Sequence, residues 1–242
     1  MSRSLRRVDL APGYVLHHRP WRDSSRILEV LTREHGRLTL FARGVRGPAA
    51  KLSSVLQPFQ PLLLSWSGRG EAPQLTGAER AALTGPLPPA CLLAAFYLNE
   101  LLLRLTTRHD ALPELFDHYH GTLERLRTGA ALAPCLRVFE KRLLDVLGYG
   151  LDLSAEARSG VPLDPAGYYE FRPGSGLVPA DGHAAHSLCG RSLLSLAAET
   201  LSGPRELEDA RRVLQAALDA CLEGRPLATR AVARAMKRRA VR

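Results

Sequence analysis

Two groups of side chains in this 242-residue chain have types and spacings that invite chemistry. The first is Asp181, His183, His186 and Cys189, whose HxxH and HxxC spacings offer the nitrogen and sulfur donors that zinc takes tetrahedrally. A structural zinc site usually supplies more thiolate, and the run opens a helix-like segment where polar loop residues are ordinary. The second group is basic: Arg19, Arg22, Arg26, Arg33, Arg37, Arg43, Arg46 and Lys51 spread over two strand-like segments and their loops, with Arg69 in a later turn. In a small barrel such cations line a groove that follows a phosphate backbone, with an affinity that falls steeply with salt. Trp21, Phe41, Phe59 and Trp66 are rings on which bases could stack. The competing reading puts each ring in the core and each arginine on a solvated strand face. At the far end, ATRAVARAMKRR sets Arg230, Arg234 and Arg238 on one helical face, suited to nucleic acid, to an acidic peptide or to a plain soluble tail.

Catalytic constellations are missing from the pattern. No Gly-rich phosphate loop and no nucleophile elbow occurs. Gly44-Val45-Arg46-Gly47 and Gly68-Arg69-Gly70 read as short turns, and the carboxylates are scattered. The expectation is a binding protein rather than an enzyme, without cofactor or metal.

The elements that must position these residues fall into two styles. Gly13–His17, Arg26–Thr32, Arg37–Ala42, Pro61–Trp66 and Ala72–Thr76 read as short strands, the second and third joined by a turn at Glu34-His35-Gly36. Five strands in fewer than eighty residues predict a small barrel, most commonly an OB-fold. After the stretch TGPLPP the period becomes helical, over Cys91–Arg108, Pro113–Arg127, Pro134–Leu147, Ser187–Leu201, Glu206–Leu222 and Thr229–Arg239. Residues 151–182 are Gly- and Pro-rich and read as an irregular insertion with a short strand at Tyr168–Arg172. The predicted class is α+β: a five-stranded barrel over residues 1–80, then a mostly helical domain over 81–242.

Charge agrees with an anionic partner. The net charge of +9 is concentrated at the two ends: residues 1–80 carry thirteen Lys or Arg against six acids, and residues 229–242 six against none. The middle carries fourteen against eighteen. Arginine bias in the genome explains why 30 of the 33 cations are Arg, but not their clustering. Cys91, Cys135, Cys189 and Cys221 are far apart and read as reduced, buried thiols. MSRSLRRVDL has no apolar region after its basic start, and Cys91–Leu105 is too short and polar to span a bilayer. A cytoplasmic protein without membrane contact is expected.

Several stretches, in order along the chain, resemble the RecO family: GYVLHHRPWRDSSRILEVLTREHGRLTLFARGVRG, LQPFQPLLLSWSGRGEAPQLTGAE, FYLNELLLRL, ELFDHYHGTLERL, FEKRLLDVLGYGLDL and finally LEGRPLATRAVARAM. The resemblance implies an N-terminal OB-fold, a helical C-terminal domain and no catalytic centre. It implies binding of single- and double-stranded DNA, annealing of complementary strands, and cooperation with RecR to load RecA on DNA coated by single-strand binding protein (SSB). It further implies docking of the SSB C-terminal tail on the helical domain, through Arg137 and, beside it, Lys141 and Arg142. Some relatives carry a zinc module of two CxxC pairs after this segment. Here Glu156 and Ser159 stand at the first pair and FRPGSGLVPADG has no Cys, so zinc is not expected. The DNA-binding residues expected are Arg19, Arg22, Arg26, Arg37, Arg43, Arg46, Lys51, Trp66 and Arg69. An RNA-binding OB-fold module remains the alternative reading of the basic barrel.

Overall fold

The computed structural model describes residues 6–45, 51–68, 70–182, 184 and 186–240. Five strands, β1 (Arg6–Trp21), β2 (Ser25–Thr32), β3 (Gly36–Ala42), β4 (Leu62–Gly68) and β5 (Gln74–Arg80), form the N-terminal part. Their order around the sheet is β1-β2-β3-β5-β4, with β4 returning to β1, which is the path of an OB-fold barrel. The seam between β3 and β5 is a single parallel bridge, Phe41 to Gln74, supported by the Phe41 amide donating to the Pro73 carbonyl at 2.9 Å. Alternation sends Leu28, Val30, Leu38, Leu40, Leu62, Leu64 and Leu75 inward to one core. β1 is much longer than the Gly13–His17 expected, because it bends around the barrel and pairs with β4 through its first half and β2 through its second.

A bulge governs what β1 shows on its outer side. Val15 opposes Val30 and His17 opposes Glu29, so Leu16 is an extra residue in the ladder. Helices α1 (Leu92–Leu105) and α2 (Pro113–Arg127) pack at that place. Asn99 of α1 is buried, donates to the Leu16 carbonyl at 2.8 Å and accepts from the Tyr119 hydroxyl at 2.6 Å. Tyr14 meets Tyr119 edge-on, with ring centroids 5.1 Å apart. Burial pushes the hydroxyls of both tyrosines well above the usual phenol range, so both stay protonated as donors.

The rest comprises α3 (Leu132–Val146), β6 (Tyr168–Arg172), β7 (Gly176–Pro179), β8 (Leu188–Cys189), α4 (Gly190–Ala197), α5 (Pro204–Cys221) and α6 (Ala228–Ala240). β6 lies between β7 and β8 in a small antiparallel sheet. The expected helix over Ser187–Leu201 is therefore shorter, since Leu188 and Cys189 pair with Tyr169 and Tyr168 before the helix starts. Glu206 closes the N-terminus of α5, accepting from the Ser202 and Gly203 amides at 2.9 and 3.2 Å, and those amides hold its carboxyl below the usual range.

Strand gives way to helix between Arg80 and Leu92, but compactness divides the chain elsewhere. Residues 1–127 with 229–242 form one unit and 128–228 the other. The first therefore holds the barrel, α1, α2 and nearly all of α6; the second holds α3, the small sheet, α4 and α5. Among the described residues, no helix is long and apolar enough to cross a membrane.

Replacing Asn99 by Leu keeps the volume but strands the Leu16 carbonyl and the Tyr119 hydroxyl. A loss of about 2–4 kcal/mol is expected in urea unfolding of the N-terminal unit, against under 1 kcal/mol for an exposed control such as Thr107→Ala.

Candidate nucleic-acid interface

Residues directly opposite on neighbouring antiparallel strands share a face, so the register reads out the outer surface of β1, β2 and β3 row by row. Tyr14, Leu31 and Arg37 form one row, His17, Glu29 and Thr39 the next, and Arg19, Ile27 and Phe41 the last. The first row is covered: Tyr14 lies under α2, and Arg37 under the segment that follows α1. There the Arg37 carbonyl accepts from the His109 amide at 2.8 Å, and the Arg37 guanidinium donates to the Thr106 carbonyl at 2.7 Å. Gly36 has φ +66°, and a Cβ there would come within 2.0 Å of the Asp110 carbonyl oxygen, so glycine alone admits this segment so close to β3.

Glu29 anchors the middle row. Its carboxylate accepts from Arg37 at 3.1 Å, from Arg108 at 2.6 Å and from the Thr39 hydroxyl at 2.8 Å. One buried-side carboxylate thus balances two guanidiniums, and Arg37, with 11% of its side chain exposed, is wholly engaged. Desolvation lowers the Arg37 pKa, with the Glu29 charge opposing that shift.

The last row is open. Arg19, Trp21, Ile27, Glu29, Thr39, Phe41, Glu71, Ala72 and Arg108 line a concave pocket of about 370 Å³. Its floor is apolar, from Trp21 (42% exposed), Ile27 and Phe41. Arg19 and Arg108 stand at the rim, and the Arg43 guanidinium lies 5.6 Å from the centroid of Phe41. The three-residue turn Arg22-Asp23-Ser24 joins β1 to β2 beside it, with Arg22 in the left-handed region at φ +51°. Glu71 and Ala72 come from the β4–β5 loop. The pocket therefore lies on the strand 2–3 face between the two loops with which OB-folds grip oligonucleotides. Its rings are suited to stacking a base, with Arg19 and the nearby exposed Arg43 available to the phosphate, since Arg108 is paired to Glu29 at 2.6 Å.

The structure separates the expected DNA-binding residues. Arg19, Arg22 and Arg43 are exposed around the pocket. Arg37 is not at the open surface, because Glu29 and Thr106 consume its donors. Trp66 points into the barrel core with 5% exposure, flanked edge-on by His35, and has no face for a base. Arg26 stands opposite Pro20 and Ala42 on the inward side and donates to the Ser53 hydroxyl at 3.3 Å. Phe59 is buried against Phe96, and Arg33 forks onto Asp117 with two bonds of 2.9 Å. Arg46, Arg69 and the side chain of Lys51 lie outside the described residues. Arg108 is the contributor that pattern reading missed: it follows α1 in sequence and reaches the pocket only because the segment after that helix folds back on β3.

In the second unit, Arg137, Lys141 and Arg142 of α3 are brought together but are satisfied internally. Arg137 pairs with Glu140 at 2.9 Å. Lys141 pairs with Asp145 at 3.1 Å and Glu199 at 3.5 Å, and Arg142 forks onto Glu199 with a shortest contact of 2.6 Å. Glu199 follows α4 at φ +58°. Hydrogen bonds from Arg142, helped by the Arg142 and Lys141 charges, hold its carboxyl below the usual glutamate range against the opposing effect of burial. Among the described residues no three potential metal donors cluster, at Asp181, His186 and Cys189 or elsewhere, and His183 lies outside them. The Cys189 amide instead donates to Asp209 at 3.2 Å.

The family model described as "Recombination protein O N terminal" matches residues 9–83, and "Recombination protein O C terminal" matches residues 90–231. A DNA repair protein RecO from Methylococcus capsulatus is 43% identical over 224 residues, covering 93% of this chain and 92% of the relative. One from Glaesserella parasuis is 41% identical over 219 residues, covering 90% and 92%. One from Ralstonia nicotianae is 41% identical over 234 residues, covering 96% and 86%.

Because its folded carboxyl sits low, Glu199 stabilises the second unit above the ordinary glutamate value of 4.5, and the contribution disappears as pH falls through the lower folded value. The unfolding curves of wild type and Glu199→Gln should differ at pH 7 and converge as pH falls below the usual glutamate range. A difference that persisted at low pH would assign the effect to packing instead.

Proposed function

The chain belongs to the recombination protein O family and shares that family's role in DNA repair and recombination, and from that premise we propose that it is a recombination mediator that binds single-stranded DNA along the outer face of β1–β3. The observation that carries this reading is the pocket lined by Trp21, Ile27 and Phe41 together with Arg19 and Arg108, with the exposed Arg43 guanidinium lying over the Phe41 ring beside it. In this mechanism the arginines neutralise phosphates of one strand while the rings hold one or two bases. The remaining bases stay available to a complement. Neutralising the first strand lowers the repulsion felt by the second, which promotes annealing, and duplex DNA is held by the same charges.

The proposed division of labour largely follows the sequence boundary: residues 1–80, joined at the pocket by Arg108, hold DNA, and residues 81–242, with the insertion at 151–182, carry partner binding. The acidic, apolar C-terminal tail of SSB is received at Arg137, Lys141 and Arg142, and with RecR the protein helps RecA load on SSB-coated single strands. No bond-breaking step is assigned to any residue, and no cofactor is needed. The setting for this work is the bacterial cytoplasm, at the nucleoid.

Since Glu199 already occupies Lys141 and Arg142, an incoming carboxylate must displace it. Glu199→Gln should accordingly tighten binding of an SSB-tail peptide severalfold, measured by fluorescence anisotropy, while Arg142→Ala weakens it. Weaker binding by Glu199→Gln would remove α3 from the docking surface.

The DNA half is tested by titrating a labelled oligothymidylate at several salt concentrations. Trp21→Ala should weaken binding by about 1–3 kcal/mol with little change in salt slope, as loss of a stacking ring does. Arg19→Ala with Arg43→Ala should lower the slope by about 1.4. An unchanged affinity and slope in both would place the DNA elsewhere. A matched RNA oligonucleotide run alongside should compete less well, and equal or better competition would favour an RNA-binding module. Annealing of SSB-coated complementary strands should be accelerated by wild type and much less by Trp21→Ala.

A further inference from the structure

The mechanism above leaves the C-terminal helix unused. α6 is rooted at its first turn. Glu100 of α1 accepts from the Thr229 amide at 2.9 Å and from its hydroxyl at 2.6 Å, closing the N-terminus with a carboxylate where the helix dipole favours one. One residue on, the Arg230 guanidinium lies 5.7 Å from the centroid of Tyr97, also on α1. From Arg234 onward, Arg234, Ala235, Met236, Lys237, Arg238 and Arg239 are all exposed. Among the described residues, Arg234, Lys237, Arg238 and Arg239 enter no ion pair.

Such a helix is poorly supported on its own. It has 13 residues, a length at which isolated helices are marginal, and it repeats cations at i and i+4 with no acid between them. Cations in the last turn do suit the dipole, but that compensates only locally. A polyanion lying along the helix would supply the missing countercharge over its whole free length. At 1.5 Å per residue, Arg230, Arg234 and Arg238 recur every 6 Å or so, an interval comparable to that between phosphates on an extended strand.

The distribution of apolar groups selects the kind of polyanion. Val232 and Met236 are exposed, but at 3.6 residues per turn each lies about 200° round the helix from Arg234 and Arg238 respectively. An acidic peptide with apolar anchors needs both kinds of contact on one side. Arg239 falls on the same side as Val232 and Met236, but the stripe of Arg230, Arg234, Lys237 and Arg238 offers charge without an apolar wall, which is what a phosphate backbone requires.

We infer that α6 is a second phosphate-binding arm, gripping the backbone of a nucleic-acid strand independently of the pocket on β1–β3. The inference rests on the reading of the protein as a DNA binder, and gives that activity a second, physically separate contact in the same compact unit. It accounts for the cationic C-terminus, which no part of the barrel mechanism employs.

The test compares three full-length proteins on a long labelled oligothymidylate across a salt series. The first is wild type, the second carries Arg234→Gln, Lys237→Gln, Arg238→Gln and Arg239→Gln, and the third carries Arg19→Ala and Arg43→Ala. Gln retains helix propensity, so circular dichroism should be unchanged. The α6 variant should bind about tenfold or more weakly at low salt, with a slope reduced by about two to three. A second variant, Glu100→Gln, keeps every cation but loosens the root of the helix, and should weaken binding with less change in slope. If both α6 and pocket variants lose affinity, the two contacts act separately as inferred. If only the α6 variant does, the arm stands and the pocket reading fails. An unchanged slope and affinity in the α6 variant overturns the inference. Loss of binding to an acidic apolar peptide, with DNA binding intact, overturns it in favour of a protein-docking helix.

Discussion

Asn99 sits where the two halves of the N-terminal unit must agree. The bulge at Leu16 takes one residue out of the β1–β2 ladder, and a buried carbonyl without a partner would cost as much as several favourable contacts return. The Asn99 amide supplies the donor, and the other end of the same amide takes the Tyr119 hydroxyl, so one side chain joins β1, α1 and α2. Everything beyond the bulge follows from that docking. With α2 over Tyr14 and the segment after α1 lying along β3, half of the outer barrel face is closed and the other half, around Ile27 and Phe41, stays open.

The same arrangement sorts the arginines. A cation beside the covered rows is desolvated and has to be paired, which is why Arg37 carries Glu29 and Thr106 as partners. Arg19 and Arg43, beyond the edge of the covering helices, keep their heads in water. Their availability comes from what α1 and α2 fail to reach, not from their neighbours in sequence. Arg142 and Lys141 show the opposite outcome on α3, where Glu199, thrown out by the turn after α4, meets them directly. An acidic ligand docking there, as proposed, would have to compete with a resident carboxylate, which raises discrimination at the expense of affinity.

Charge and stacking also divide between elements. The barrel pocket carries two rings, Trp21 and Phe41, whereas the ring beside the α6 stripe is the Tyr97 that anchors Arg230. A pocket with rings and few cations holds bases in place, whereas a helix with cations and no rings follows a backbone regardless of sequence.

Local pattern was sufficient for much of this architecture. Alternating apolar residues in RILEVLT and RLTLFA, split by a glycine-bearing turn, specify the β2–β3 hairpin, and the 3.6-residue period after TGPLPP specifies the helices to within a few residues. The segregation of cations to the two ends is likewise a property of the chain alone. Tertiary structure decided which of those cations and rings face solvent and which are paired or buried. Trp21 and Trp66 belong to the same residue type in the same barrel, and only the inward or outward side of each strand makes one a surface and the other a core. The length of β1, the pairing of Leu188–Cys189 before α4, and the arrival of Arg108 beside Glu29 all depend on contacts between residues distant in sequence. Periodicity reports which side of an element is apolar, but the partner that covers that side, and the polar groups it must satisfy there, come into being only when the chain closes on itself.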